Sequence, residues 1–322
     1  MSFSLSPENL LFTLEGHRAA VQNVKFNLNS KYCMSCSADK AVRLWNPHRG
    51  VCIREYAGPH NHEVNDVSIT GDNSRFVSVG GDRLAFLWDV STGQVIRKFM
   101  GHNGRINFCE FAHTGDVFVT GSYDKTVRFW DMRARNRNAI QTIDDEFRDS
   151  VTCCVLTKED VICGSLDGSV RSFDLRMGRV SVDQIDRGHV TGLSISRDER
   201  CLLAFLTGRG GAVCLIERGA GDVLQTYTGH QNESYRLQGS FDSSDSFVVS
   251  GSEDGRICVW KVEDSSPQTS FRAHQGTVFC VRFPPDIDEH IMVSAGSDKL
   301  LRVWATRRED IATVQLPPGH GN

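Results

Sequence analysis

An all-β fold built from seven repeats is what this sequence predicts, on three observations. The first is the stretch Gly121 to Asp131, GSYDKTVRFWD, where a polar tight turn runs into a β-branched and aromatic segment suited to a pleated strand. The second is the recurrence of that strand's aromatic residue. Trp45, Trp88, Trp130, Phe173, Ile216, Trp260 and Trp304 follow one another at intervals of 43, 42, 43, 43, 44 and 44 residues, which marks an internal repeat. The third is the residue six positions before each mark: Asp39, Asp82, Asp124, Asp167, Gly210, Asp254 and Asp298, aspartate in all but the fifth unit.

A histidine stands 28 residues before the mark at His17, His60 and His102, and 30 before it at His230 and His274. The fourth and fifth units lack it. A His, a strand Ser or Thr, the turn Asp and the strand Trp at this spacing can form one chain of hydrogen bonds inside a repeat, and such a chain rigidifies when every member is satisfied. The set His17, Asp39, Trp45; His60, Asp82, Trp88; His102, Asp124, Trp130; Asp167; His230, Asp254, Trp260; and His274, Asp298, Trp304 is therefore read as structural. An active site is one asymmetric constellation, and these groups repeat around the chain.

These residues resemble the WD-repeat family, whose unit of 40 to 45 residues has Gly-His near one end and Trp-Asp near the other. The literal Trp-Asp pair stands at Trp88-Asp89 and Trp130-Asp131. The resemblance implies an all-β, seven-bladed WD-repeat β-propeller, each repeat one four-stranded blade. Residues 1–322 are then a single propeller domain, with 306–322 as a peripheral tail.

Blade one is expected to run through Val21 to Phe26, Tyr32 to Ser35 and Ala41 to Trp45, and blade two through Val64 to Ile69, Phe76 to Val79 and Leu84 to Trp88. Blade three carries an arginine loop, Met132 to Asn138. Blade four replaces Gly-His with the acidic run Asp144 to Asp149, so its upper edge should be held less tightly. Blade five has Asp186-Arg187-Gly188-His189 out of register and a glycine turn, Thr207 to Gly211. That turn precedes a strand, and a phosphate cradle would need a helix N-terminus there. Blade six opens with a longer segment, Gly229 to Arg236. Blade seven runs through Thr277 to Phe283, Ile291 to Ser294 and Leu300 to Trp304.

Residues 8 to 15, ENLLFTLE, precede the first Gly-His as Val51 to Tyr56 and Val95 to Phe99 precede later ones. They read as the outermost strand of blade seven, closing the ring from the N-terminal side and hiding two open edges. Ile311 to Leu316 competes for the same slot.

Composition narrows the function. A net charge of -4 gives no field that would draw in nucleic acid or anionic membrane. No signal segment and no apolar run of membrane length occurs, which predicts a soluble, intracellular protein. Most of the eleven cysteines lie in strand-like runs and read as small buried apolar residues in a reducing compartment. Cys33 and Cys36 have zinc-type spacing, but a separation of three on a strand sends them to opposite faces, and no second pair follows. No nucleophile elbow, phosphate loop or metalloprotease motif is present, so no catalytic, metal or cofactor site is expected.

What remains is a rigid disc presenting loops to other proteins, where Tyr, Trp and Arg make typical anchors. The loops of the upper face offer Arg18, Glu63, Arg105, Tyr123, Arg148, Tyr235 and Glu253. Leu44 to Gly50, Ser165 to Gly168, Asp174 to Gly178 and Gly229 to Arg236 resemble the mitogen-activated protein kinase organizer family within the WD-repeat proteins. That resemblance implies a non-catalytic scaffold for kinase-cascade components or spliceosomal factors in pre-mRNA splicing, in nucleus and cytoplasm, monomeric within a larger assembly. Trp130-Asp131-Met132-Arg133 also resembles the Trp-Asp-x-Arg box by which some propellers dock to a cullin-type ubiquitin ligase adaptor. Arg133, Arg135 and Arg137, with Arg176 and Arg179, could instead touch RNA on the face opposite the Gly-His loops, as a secondary contact at most.

Overall fold

Alternation of apolar and polar residues, punctuated by Asp, Asn and Gly turns, folds each repeat into an antiparallel four-stranded sheet. The computed structural model describes residues 5–112, 115–134, 138–185, 187–208 and 211–307. These form seven four-stranded sheets, the blades of a β-propeller.

Within a blade the strands follow chain order from the centre outward. In blade one they are Val21–Phe26, Cys33–Ser37, Val42–Asn46 and Val51–Tyr56. Blade seven is the exception. Its inner three strands are Val278–Arg282, Ile291–Gly296 and Leu301–Ala305, and its outermost strand is Leu10–Leu14, paired antiparallel with Leu301–Ala305 in the register Leu10 to Trp304 and Leu14 to Leu301. The N-terminal segment thus fills the outer slot of the last blade. The rival segment 311–316, and with it the tail from residue 308, lies outside the described residues. A 3-10 turn, Pro7–Asn9, leads into the closing strand, and the buried Asn9 side chain donates to the Ala305 carbonyl at 3.0 Å.

The inner three strands of a blade bury most of both faces because the blade is sandwiched between two others, while outer strands such as Val51–Tyr56 and Val95–Met100 are largely exposed. The core is consequently divided into seven clusters, each shared by two consecutive blades. Cys33 and Trp45 of blade one pack with Val293 and Val303 of blade seven, while Cys36 and Tyr56 of blade one pack with Phe76 and Trp88 of blade two. Cys33 and Cys36 therefore enter different cores. All eleven cysteines are free thiols. The seven marker residues, Phe173 and Ile216 included, sit on third strands and are at most 6% exposed.

Blades are also stitched by polar groups at a β-bulge near the start of most inner strands. The bulge frees one side chain to reach sideways. Asn65 donates to the Ile106 carbonyl at 2.7 Å, Asn107 to Val151 at 2.7 Å, and Thr152 to Val190 at 2.6 Å, each crossing to the next blade. At the rim, the Tyr56 hydroxyl donates to Val90 and the Tyr227 hydroxyl to Val262 in the same direction.

Inside the ring, charge replaces apolar packing. The Lys25 ammonium lies 3.1 Å from Asp66 and 2.6 Å from Glu110. Burial opposes its charge, but the two carboxylates more than offset that and hold its pKa well above the usual lysine range. Arg236 crosses the ring, donating to the carbonyls of Thr191 and Asn107.

Candidate protein-interaction face

The upper face consists of the loops that bring in each inner strand and the turns that join second to third strands. Aspartate dictates the form of those turns. In blades one, two, three and seven one oxygen of Asp39, Asp82, Asp124 or Asp298 accepts the amide of the residue two positions on, and the residue between adopts a left-handed backbone. These are Lys40, Arg83, Lys125 and Lys299, with φ of 66 to 72°.

Four tetrads anchor this face. In blade one the Trp45 indole donates to the Ser35 hydroxyl at 2.8 Å, Ser35 lies 2.7 Å from His17 Nε2, and His17 Nδ1 lies 2.8 Å from Asp39. Asp39 also accepts the Arg18 amide at 2.9 Å. The same chain runs through Trp88, Ser78, His60 and Asp82, through Trp130, Thr120, His102 and Asp124, and through Trp304, Ser294, His274 and Asp298, with no link longer than 3.0 Å. A neutral histidine that donates from Nδ1 to the aspartate and accepts a hydroxyl proton at Nε2 satisfies every member. Burial lowers the pKa of His102 and His274 despite the adjacent carboxylates. Burial also works against the charge of Asp39 and Asp124, but their histidine partners and backbone amides outweigh it and hold them well below the usual carboxylate range.

The remaining blades depart from that pattern. In blade four Asp167 has no histidine. Arg171 sits 3.0 Å from its carboxylate and 4.8 Å from the centre of the Phe147 ring, so an arginine buried beside an aromatic ring braces the edge that the sequence left without a histidine. In blade five the turn position, Gly210, and Asp186 lie outside the described residues, and His189 Nδ1 hydrogen-bonds to the Leu166 carbonyl. Blade six corrects the expected network. His230, Asp254 and Trp260 are present but not connected: the Trp260 indole donates to the Thr228 carbonyl at 3.0 Å, and Asp254 faces Arg256 at 3.5 Å.

Of the expected anchors, Arg18, Arg105, Tyr123, Arg148 and Tyr235 are exposed, and Glu63 and Glu253 are half-buried. Tyr123 and Tyr235 are 55% and 50% exposed, large for aromatic side chains on ordered loops. The Arg105 guanidinium stacks 5.2 Å from the Tyr123 ring, and Tyr235 leans edge-on against Phe279 at 5.6 Å. Arg148 is placed by its amide, which donates to Asp167. Glu253 is different, because its Oε1 accepts the amides of Glu233, Ser234 and Tyr235. It braces a loop, a role that its acidic character in the sequence does not reveal.

On the opposite face Arg133 is 70% exposed and lies 3.1 Å from Asp116, while Arg176 lies 3.3 Å from Glu159. Arg179 belongs to the same loop as Arg176. Arg135 and Arg137 lie outside the described residues. Among the described residues no three His, Cys, Asp or Glu side chains converge as metal ligands, and no helix is long and apolar enough to cross a membrane.

Comparison with known proteins agrees with this geometry. The family model "WD domain, G-beta repeat" matches residues 8–46, 50–89, 93–131, 221–261 and 265–305. The unmatched stretch spans blades four and five, which lack the histidine. The chain is 40% identical over 260 residues to WD repeat domain-containing protein 83 of Rattus norvegicus, covering 81% of each chain. It is 36% identical over 304 residues to the protein of that name in Homo sapiens, covering 94% of this chain and 95% of the relative. A homolog of that protein in Dictyostelium discoideum is 28% identical over 320 residues, covering 90% and 96%. With its tetrads, its blade order and these relatives in agreement, the chain belongs to the WD40 repeat family, alongside the proteins named WD repeat domain-containing protein 83.

Proposed function

We propose that this propeller is a non-catalytic scaffold whose upper face docks protein partners, acting as a spliceosome component in pre-mRNA splicing, in mitogen-activated kinase signalling, or in both, within nucleus and cytoplasm. The observation that carries the reading is the pair of half-exposed tyrosines, Tyr123 and Tyr235, held on loops that the blades fix. Aromatic anchors that lose little freedom on docking are what protein interfaces concentrate. Any RNA contact through Arg133 or Arg176 is secondary, because these guanidiniums are already paired with carboxylates.

The test is purification of the tagged protein from nuclear and from cytoplasmic extracts, with stoichiometric partners identified by mass spectrometry. An Arg105→Ala/Tyr235→Ala variant is expected to lose them. Splicing factors in the wild-type sample support the splicing role and kinases the signalling role. Retention of every partner by the double variant overturns the upper-face reading.

A second reading, a substrate receptor of a cullin-type ligase, draws on the exposure of Arg133 just after Trp130-Asp131. Under it, Arg133→Glu abolishes adaptor binding. Under the scaffold reading it leaves assembly intact.

A further inference from the structure

Blade six contains every member of the tetrad at the spacing that closes blade seven. His230, Ser250, Asp254 and Trp260 stand at the same intervals as His274, Ser294, Asp298 and Trp304. Yet only blade seven is connected. His230 is 4% exposed, and among the described residues neither of its ring nitrogens has a partner. The Ser250 hydroxyl donates instead to the Gly251 carbonyl at 2.9 Å, and the Trp260 indole to Thr228. A buried imidazole without a partner is a standing cost. The chain supplies a carboxylate for it at the right interval, yet Asp254 accepts the Arg256 amide at 3.1 Å and faces the Arg256 guanidinium instead.

The neighbouring Glu253 Oε1 receives three successive amides, those of Glu233, Ser234 and Tyr235, at 2.9, 2.7 and 2.9 Å. Consecutive N–H groups converging on one oxygen form an anion nest, here filled by the chain's own side chain. The surrounding bonds change accordingly. In the closed blades the amide after the histidine, that of Arg18, Asn61, Asn103 or Gln275, donates to the turn aspartate. In blade six the corresponding amide, that of Gln231, donates to the Ser252 hydroxyl at 2.9 Å.

We propose that blade six is a two-state latch. In the open state, seen here, Glu253 fills the amide nest and His230 is unpaired. In the closed state Asp254 reaches His230 Nδ1, Ser250 turns to Nε2, and Glu253 leaves the nest. Each state gives up bonds that the other makes, and the open state is the populated one in the free protein. Tyr235 moves with the latch, because its amide is one of the three. A partner that grips Tyr235 therefore biases the blade, and the latch itself does not depend on which protein docks.

The five tryptophans make the latch observable, since each sits in a different blade, namely one, two, three, six and seven. Protein labelled with 15N-tryptophan gives five indole N–H signals, and Trp260→Phe assigns the one that matters. Glu253→Gln removes the charge the nest holds. It is expected to shift the Trp260 signal, leave the other four in place, and reduce hydrogen-exchange protection of amides 233–235 on the order of tenfold. Adding Asp254→Asn should return the Trp260 signal to its wild-type position, because closure needs that carboxylate. An unmoved Trp260 signal in Glu253→Gln, with the other four intact, makes Glu253 a passive brace and overturns the latch. Should Glu253→Gln fail to fold, single aspartate variants decide. Asp254→Asn is expected to leave the Trp260 signal and Tm unchanged while Asp298→Asn in blade seven lowers Tm. A Trp260 signal displaced by Asp254→Asn alone overturns the open state.

Discussion

Lys25 of blade one lies 2.6 Å from Glu110 of blade three, although those two blades share no packed core. The ammonium reaches past blade two and on its way pairs with Asp66, which is 2% exposed. One side chain thereby fixes the relative position of three blades around the axis.

Lys25→Met should therefore cost about 3 kcal/mol, because it leaves the buried Asp66 and its neighbour Glu110 without their counter-charge. Lys40→Met on the upper face should change stability by less than about 0.5 kcal/mol. Urea unfolding of the two variants beside wild type measures the difference. Equal effects would show the central charges to be well solvated.

Ser78→Ala removes the hydroxyl between Trp88 and His60 and leaves an indole N–H and a ring nitrogen buried without partners, which costs about 1–3 kcal/mol. Ser250→Ala in blade six should cost less, since that hydroxyl touches neither Trp260 nor His230. Thermal unfolding ranks the pair.

Acid should weaken the fold in two stages. His102, His274 and His230 have folded pKa values below the ordinary 6.5, that of His230 lowered to about 4, with burial the largest cause in each. For a base whose folded pKa is depressed, the stabilising share is complete above the unfolded value and is lost as pH falls through about 6.5 towards the folded value. Asp39, Asp82, Asp124 and Asp298 are lowered too, against the opposing effect of burial, and their share is lost below about 4. Tm measured from about pH 7.5 to about pH 2 should decline first gently and then steeply. His230→Phe should flatten the first stage, because His230 is the one of these three imidazoles without a bonded carboxylate.

Asn107→Ala deletes a bond of 2.7 Å to the Val151 carbonyl at a site 7% exposed, and should cost about 1–3 kcal/mol. Asn65→Ala removes a bond of the same length at a half-buried site and should cost less. If neither variant alters the urea midpoint, the blades are held together by apolar packing alone.

Much of the architecture was legible because a repeat writes the same instruction several times. The markers from Trp45 to Trp304 all fall on third strands, and the segment 8 to 15 contains the closing strand Leu10–Leu14. Strand limits differ from expectation by a residue or two: Tyr32 to Ser35 becomes Cys33–Ser37 once its turn is formed. Blade six shows where spacing stops being informative. Its histidine and aspartate stand as far apart as those of blade seven, and spacing decides which groups are neighbours, not which of two carboxylates wins a contest for hydrogen bonds. Lys25 and Arg236 were not legible for another reason. Their partners lie 41 to 129 residues away, on other blades, and no local pattern marks them.

The pairing of Leu10–Leu14 with Leu301–Ala305 has a consequence for the protein's birth. At roughly 5–20 residues per second, a ribosome that has released the first of these strands needs roughly 15–60 s more to release the second. Throughout that interval six blades can form as they emerge, while an apolar ribbon that left the ribosome before them has no place to dock. Chaperones that recognise extended apolar segments would meet it there, and release of the last blade would end their hold.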